Sequence, residues 1–323
     1  MPGNVNFDSL LSTTINNYRK TLTDNVFKSR PLLWWLSEKN SVRKLGGGVK
    51  IVEPLIYAQG QAGSYGEWDA IQIVPQEGIS AAEYPWRQLF ATIAISGLEE
   101  AQNNGEEAVI NLLRAKVMQA EETLKAKLNK MLYSDGTGNS GKDFLGLKAL
   151  LVPAGTAVGG IDGTVAGNEF WRSATATWTA GTSKVLGVVG TAYNNASNGN
   201  DVIDGIFTGQ AVYEMYEAEL TPNVRYQDVK SANAGFTSLM LKQAPIYWDR
   251  DCDAGAVYGL NSKYIALVGH SQRWFKQSPF SDGLAAEAGG NATTVDARYS
   301  LITTYGNLTV SNRAAHFVVT GVA

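Results

Sequence analysis

A long stretch of helical periodicity restricts the fold of this chain more than any other feature. In residues 105–133 the apolar side chains recur at spacings of three and four and form one stripe, made of Val109, Leu113, Val117, Ala120, Leu124, Leu128 and Met131. Asn103 or Asn104 can cap the start of this helix. At about 1.5 Å per residue the helix would be roughly 43 Å long. A compact domain seldom needs such a length, so we expect the helix to act as a spine.

The segment before this helix has the pattern of a projecting β-hairpin. Residues 49–58 are extended and apolar, residues 59–69 are rich in glycine, and residues 87–96 alternate as a returning strand. Leu89, Ala91, Ile93 and Ile95 share one face of that strand, and Pro54, Pro75 and Pro85 interrupt the segment. An isolated hairpin is marginally stable in water, so we expect it to lie on another surface.

Residues 1–45 are expected to form an N-terminal arm. Pro31 suits the first turn of a short helix, and Trp34 and Trp35 follow at once. Two interpretations are open. The short helix packs on its own domain, as buried tryptophans usually do, or its tryptophans contact a neighbouring subunit.

The rest of the chain predicts a mixed α+β architecture. We expect helices in 183–195 and 209–220, a buried strand in 201–209, and further strands in 235–248, 256–261 and 263–270. The tail, residues 297–323, predicts two or three more strands, with Gly306 and Asn307 as a turn between them.

The loop after the long helix, "YSDGTGNSGKDF" (residues 133–144), partly matches a phosphate-binding loop. A working loop of that class lies between a strand and a helix, so that backbone N–H groups converge on the phosphates. Here a helix precedes the loop, and Asp143 replaces the hydroxyl residue that would hold magnesium. We therefore interpret residues 133–144 as a joint between segments and expect no nucleotide binding.

Asp249, Asp251 and Asp253 alternate like the start of a calcium-binding loop. The glycine that such a loop requires comes one residue late, at Gly255, and Leu260 replaces the final glutamate. A polar turn between two strands explains the pattern better, although a weak surface cation site stays open as an alternative.

The residues that most often carry catalysis are few. His270 and His316 are the only histidines, and neither has cysteine or acidic residues at metal-ligand spacing. Gly269-His270-Ser271 starts like a nucleophile elbow, but Arg273 stands where the second glycine belongs. Cys252, the only cysteine, has no histidine near it in sequence. We predict no catalytic residues, no cofactor and no metal.

Composition adds a constraint on the surface. Charged residues make up 18% of the 323 residues, beside 8 Trp, 14 Tyr and 10 Phe, whereas about 25% charge is usual. A surface with few charges and many aromatic side chains is typical of a protein covered by other copies of itself. The net charge of −3 argues against a dedicated nucleic-acid binder. The chain shows no signal-peptide pattern and no apolar run long enough to span a membrane.

Several runs in this order resemble one family of proteins. They are "VGGIDGTVAGNEFWR" (158–172), "IFTGQAVYEMYEAEL" (206–220), "AGFTSLMLKQAPIYWDRDCDAGAVYGLNSKYIAL" (234–267) and "YGNLTVSNRAAHFVVTG" (305–321). With the order of elements, the chain resembles the major capsid proteins of tailed bacteriophages with the Hong-Kong-97-type fold, from Gly46 onward.

The resemblance implies an organisation into five segments. These are an N-terminal arm (1–45), an extended hairpin loop (46–97), a peripheral domain with the spine helix (98–145), an axial domain (146–283) and return strands of the peripheral domain (284–323). It also implies that Trp34, Trp35, Tyr65 and Trp68 contact neighbouring subunits. Some members of the family crosslink a loop lysine to a neighbour's asparagine; residues 57–69 contain no lysine, so we do not expect that reaction.

The implied function is structural. The resemblance predicts hexamers and pentamers in an icosahedral phage head, assembled in the bacterial cytoplasm and enclosing double-stranded DNA without sequence-specific contact. Because only about 45 residues precede the hairpin loop, we expect a separate scaffolding protein, together with a portal and no membrane partner. Two alternatives stay open: an encapsulin-like nanocompartment shell of the same fold around a cargo enzyme, and a soluble enzyme with a spatially assembled site of Asp and Tyr residues.

Overall fold

The computed structural model describes residues 30–71, 75, 77–102, 112–151, 157–179, 184–219, 239–282, 286–288, 291–293 and 296–322. They belong to two compact units. The first unit contains Gln88–Leu128 and His270–Tyr305, and the second contains Arg30–Arg87, Asn129–Gly269 and the chain from Gly306 onward. Of the expected arm, residues 1–29 lie outside the described residues, and the chain from Arg30 onward belongs to the second unit.

The elements follow one another along the chain in a mixed order. The helices are α1 (Pro31–Glu38), α2 (Gly97–Gln102), α3 (Leu112–Tyr133), α4 (Gly138–Gly141), α5 (Leu147–Leu150), α6 (Val185–Ala196) and α7 (Gln210–Glu219), with 3-10 turns at Glu169–Trp171 and Arg313–Ala315. The strands are β1 (Val42–Leu45), β2 (Lys50–Ile56), β3 (Ile79–Pro85), β4 (Arg87–Ser96), β5 (Ala174–Thr177), β6 (Gly205–Thr208), β7 (Leu239–Leu241), β8 (Ala244–Trp248), β9 (Val257–Leu260), β10 (Ile265–His270), β11 (Lys276–Gln277), β12 (Ser281–Asp282), β13 (Ala286–Ala288), β14 (Asn291–Thr293), β15 (Ala297–Val310) and β16 (Phe317–Thr320).

The long helix is confirmed for the residues that the structure describes. Helix α3 buries Ala120, Leu124, Leu128 and Met131 of the predicted stripe and ends at Tyr133. Leu113, which the prediction also placed on the stripe, is 41% exposed. The predicted start of the helix, with Asn103, Asn104 and Val109, lies outside the described residues. None of the described helices is both long and apolar enough to cross a membrane.

In the first unit the alternation predicted for residues 87–96 is confirmed. Strand β4 buries Leu89, Ala91, Ile93 and Ile95 and exposes the residues between them. It pairs with the long strand β15, which also pairs with β11 and β12 in antiparallel register. Because the buried apolar residues alternate with exposed ones, β4 has one face in the core and one face that is exposed.

The second unit is built on a six-stranded sheet with the order β5-β16-β9-β6-β8-β7. All four residues of β6 are buried, as expected for a central strand whose two faces are covered. Helices α6 and α7 contribute buried residues such as Val189, Tyr193 and Val212 to the core of this sheet. Both helices, and the strands predicted in 201–209 and 256–270, are confirmed at these positions.

The predicted return strand of the hairpin is wrong. Strand β2 pairs with β3 in a register from Lys50↔Pro85 to Ile56↔Ile79. Strand β4, which follows after Trp86, pairs with β15. The alternation of residues 87–96 reports burial of one face and does not say which strand lies alongside.

The predicted turn at Gly306-Asn307 is also wrong. Strand β15 continues through both residues, which lie opposite Gly269 and Val268 of β10. The Asn307 side chain is fully buried: its Oδ1 accepts from Leu145 N–H at 2.8 Å and its Nδ2 donates to the Pro85 carbonyl at 2.8 Å. Asn307 therefore connects three segments of the second unit instead of turning the chain.

Residues 284–323, expected as return strands of the peripheral domain, contribute strands to more than one sheet. Strand β16 pairs with β5 in parallel and with β9 in antiparallel register, so it belongs to the six-stranded sheet of the second unit. The tail thus contributes β15 to one sheet and β16 to the other.

Candidate functional site

The hairpin β2–β3 has one face buried on its own unit. Ile51, Ala82 and Tyr84 are almost completely buried. The Tyr84 hydroxyl donates to the Val310 carbonyl at 2.7 Å, and burial raises the pKa of Tyr84 well above its ordinary value. Glu53 is also buried, and its Oε1 accepts from Arg43 and from Thr309 Oγ1. The part of the hairpin that contains Ile51, Glu53, Ala82 and Tyr84 is therefore held by its own subunit, and its position does not depend on a neighbour.

The other face of the hairpin and its end are not buried by the described part of their own chain. Every residue from 58 to 71, which we call the tip, is exposed. Tyr65, Trp68 and Ile71 in the tip are 70%, 93% and 64% exposed. On the outer face of the strands, the paired residues Ile56 and Ile79 are also mostly exposed. An exposed patch with this many large apolar side chains marks an interaction surface.

The two tryptophans of the predicted arm occupy different environments. Trp35 is 1% exposed and packs edge-on against Phe207, with ring centroids 5.4 Å apart. A side chain buried in its own subunit cannot contact a neighbour, so the structure corrects the prediction for Trp35. Trp34 is partly exposed and lies edge-on to Tyr247 at 6.0 Å. Helix α1 packs on its own domain, which was the first of the two interpretations.

The aspartates of the calcium-like motif form a polar turn between β8 and β9, as expected. Asp249 is buried rather than at the surface; it accepts from Asn129 Nδ2 at 3.2 Å and from Tyr133 OH at 3.1 Å. Burial raises the pKa of the Asp249 carboxyl. Asp253 instead accepts from Tyr258 OH. Within the described residues, no three His, Cys, Asp or Glu side chains are arranged to hold a metal ion.

The glycine-rich joint has the element order expected for a connection between segments. It follows helix α3 and leads to the four-residue helix α5. Asp135 Oδ1 accepts from Thr137 N–H at 3.0 Å and from its hydroxyl at 2.7 Å, and these bonds lower the pKa of Asp135. An aspartate at this place adds negative charge where a phosphate would have to bind.

His316 is buried among structural contacts. Its Nδ1 accepts from the Asn261 N–H at 3.2 Å, and burial lowers its pKa from 6.5 to about 3, with a smaller contribution from Arg313. The imidazole is therefore neutral at physiological pH. Cys252 is buried as well, and burial raises the pKa of its thiol, which makes it a poor nucleophile.

The pKa of His316 gives a testable dependence of stability on pH. Between pH 6.5 and pH 3 the unfolded chain binds a proton that the folded chain does not, so stability falls as the pH falls through this window. The loss approaches about 1.4 kcal/mol per pH unit. We expect urea unfolding of the unassembled protein at pH 7, 6 and 5 to show this loss relative to His316→Gln, which keeps an acceptor but does not titrate. Parallel pH profiles for the two proteins would contradict the prediction.

Sequence reasoning missed two buried polar residues that organise the second unit. Asn307 was assigned to a turn, and Arg313 was not singled out. Arg313 is almost fully buried and donates from Nε to the Leu150 carbonyl at 2.8 Å and from a terminal nitrogen to the Trp171 carbonyl at 3.0 Å. Their partners lie more than a hundred residues away, so no local pattern could have indicated them.

No protein-family profile matches the chain, and no curated protein matches its sequence. Solved structures do match. The capsid asymmetric unit of cyanophage A-1(L) has a TM-score of 0.66 at 18% identity, over 98% of each chain. The capsid of a native GTA particle has a TM-score of 0.62 at 10% identity, over 96% of each chain. The holo-SrpI encapsulin complex from Synechococcus elongatus PCC 7942 has a TM-score of 0.60 at 9% identity, over 95% of this chain and 92% of that one.

The agreement extends over nearly the whole chain in each case. Identities this low carry information about architecture and not about particular residues. Together with the runs in 158–172 to 305–321, the order of elements along the sequence had suggested this architecture. The chain therefore has the Hong-Kong-97-type capsid fold.

Proposed function

We propose that the protein is the major capsid protein of a tailed bacteriophage. Many copies form hexamers and pentamers that close into an icosahedral head around double-stranded DNA. The protein acts by association with itself, and no chemical reaction is required of it. The head is assembled in the host cytoplasm and becomes the shell of the virion.

The observation that carries this proposal is the tip of the hairpin. All residues from 58 to 71 are exposed, and they include a tryptophan that is 93% exposed. Large aromatic side chains supply most of the binding energy at interfaces. On a capsid fold, the surface that would cover this tip is a neighbouring copy. We therefore retain Tyr65 and Trp68 as inter-subunit contacts and keep the half-exposed Trp34 as a third.

The association is tested by the size of the purified protein. We expect negative-stain electron micrographs to show closed shells, and light scattering after size-exclusion chromatography to give a mass of many subunits. A single monomer or dimer peak at every concentration and salt condition would overturn the proposal. Because each contact is repeated around a closed shell, even weak contacts give a stable particle.

A nanocompartment shell is the second candidate. The encapsulin complex matches at a TM-score of 0.60, close to the value for the GTA capsid, so the fold does not favour one over the other. The contents of the particles distinguish a phage head from a nanocompartment. Nuclease-protected double-stranded DNA in particles from the native source supports a phage head, whereas a single co-purifying protein cargo supports a nanocompartment.

The expected partners of a phage head are a separate scaffolding protein and a portal. Expression of the chain alone tests the first of these. We expect shells of irregular size without a scaffold and shells of uniform size with it. Packaged DNA should be held without sequence preference, in keeping with the net charge of −3.

A further inference from the structure

A loop of the second unit contacts the hairpin and fixes its direction. This loop consists of residues 157–171, and we call it the support loop. Glu83 N–H of β3 donates to the Gly159 carbonyl at 2.9 Å. This bond joins the support loop to the edge of β3, whose other edge pairs with β2. At Glu83 the outer edge of β3 is therefore covered by the support loop and does not face solvent.

Gly159 sits where no other residue fits without movement. Its φ is +62°, and a Cβ added to it would lie 2.7 Å from the Ala82 Cβ and 3.3 Å from the Tyr84 ring. Ala82 and Tyr84 are fully buried, so neither can yield without moving the hairpin. Glycine at residue 159 thus sets how closely β3 approaches the unit.

A second contact lies further along the hairpin. Tyr57 stacks on Phe170 of the support loop, with ring centroids 5.7 Å apart and planes at 29°. Tyr57 N–H also donates to the Gly78 carbonyl at 2.9 Å, where the two strands end and the tip begins. From Ala82 to Gly78 the strand covers about 13 Å. Two contacts at that separation oppose rotation of the hairpin, which one contact would allow.

The support loop is itself fixed to the unit. Val158 and Ile161 exchange backbone hydrogen bonds of 3.0 and 3.1 Å. The Trp171 indole, which is buried, donates to the Val158 carbonyl at 2.9 Å. Arg313 donates in turn to the Trp171 carbonyl at 3.0 Å. Because the support loop is fixed by these hydrogen bonds, it also fixes the position of strand β3, which it contacts.

We infer that Gly159 and Phe170 are positioning residues for assembly: they set the direction in which the hairpin presents its tip to a neighbouring subunit. This inference rests on the proposed function. Docking surfaces tolerate errors of about 0.5 Å or 10–20°. Half of the tip spans roughly 20 Å, so a rotation of about 10° at the support loop displaces its end by about 3–4 Å.

The chain offers a matched control for this inference. Gly160 also has a positive φ, +81°, but a Cβ there would have no atom within 4 Å. Gly159→Ala and Gly160→Ala therefore impose similar backbone strain, and only the first meets the hairpin. A difference between the two variants reports the contact with Ala82 and Tyr84.

The test measures the direction of the hairpin directly. Spin labels on Ser64→Cys in the tip and Thr191→Cys on α6, in a Cys252→Ala background, give the distance between tip and body in particle-free, full-length protein. We expect Gly159→Ala to shift the mean distance by about 3–4 Å or broaden its distribution, and Gly160→Ala to leave it unchanged. We also expect particle yield to fall for Gly159→Ala alone.

The outcomes separate the two proposals. Equal distance distributions for Gly159→Ala and Gly160→Ala would overturn the inference. If Gly159→Ala does not fold, Phe170→Ala removes the second contact without backbone strain, and an unchanged distribution in that variant would overturn it instead. If the unaltered protein forms no particles, the proposed function fails, while the distances still decide whether the support loop directs the hairpin.

Discussion

We expect the replacement of Trp68 with alanine to leave the subunit folded and to remove the particles. Trp68 is 93% exposed in its own chain, so its loss changes the folding free energy by no more than about 0.5 kcal/mol. A buried tryptophan at an interface contributes about 2 kcal/mol or more, which weakens each contact about thirtyfold. If Trp68 lies in the inter-subunit contact, as we propose, every subunit in a shell makes that contact and the loss is repeated around the particle. Circular dichroism measures the fold, and sedimentation measures the particle yield.

Two control variants sharpen this prediction. Ser64→Ala alters another exposed residue of the tip without removing an aromatic ring, and we expect normal particles. Trp68→Phe keeps an aromatic side chain, so we expect an intermediate yield. Trp68→Ala particles of ordinary yield and stability would exclude the tip as an inter-subunit contact.

For the replacement of Trp35 with alanine we expect the subunit itself to be destabilised, because this tryptophan belongs to the core of its own subunit. Its indole is 1% exposed and packs on Phe207, and a Cβ on Gly205 would lie 2.7 Å from the indole ring. Truncation of a buried tryptophan costs about 3–5 kcal/mol. A loss of that size is a large share of the stability of a typical domain, about 5–15 kcal/mol. Urea unfolding of unassembled protein measures it.

The neighbouring tryptophan is the natural comparison. Trp34 is only partly buried, so we expect Trp34→Ala to destabilise the unassembled subunit by much less than Trp35→Ala. If Trp35→Ala instead unfolds at the same urea concentration as the unaltered protein and fails only in assembly, the assignment of Trp35 to the core of its own subunit is wrong.

The sequence by itself determined the elements whose pattern is local. The stripe Ala120, Leu124 and Leu128 predicted helix α3, because a helix repeats every 3.6 residues. The alternation in 87–96 predicted which residues of β4 are buried. The exposed and aromatic nature of the hairpin end, with Tyr65 and Trp68, was also visible in the sequence.

Only the tertiary structure decided how these elements pair. Strand β2 pairs with β3 and not with β4, β15 continues through Gly306 and Asn307, and β16 joins the sheet of the second unit. Each choice depends on atoms distant in sequence, such as the Pro85 carbonyl and the Leu145 N–H that Asn307 binds. Periodicity reports which face of an element is buried, since burial follows local side-chain order. Strand partners and buried polar contacts follow from the folded backbone, where residues far apart in the chain meet.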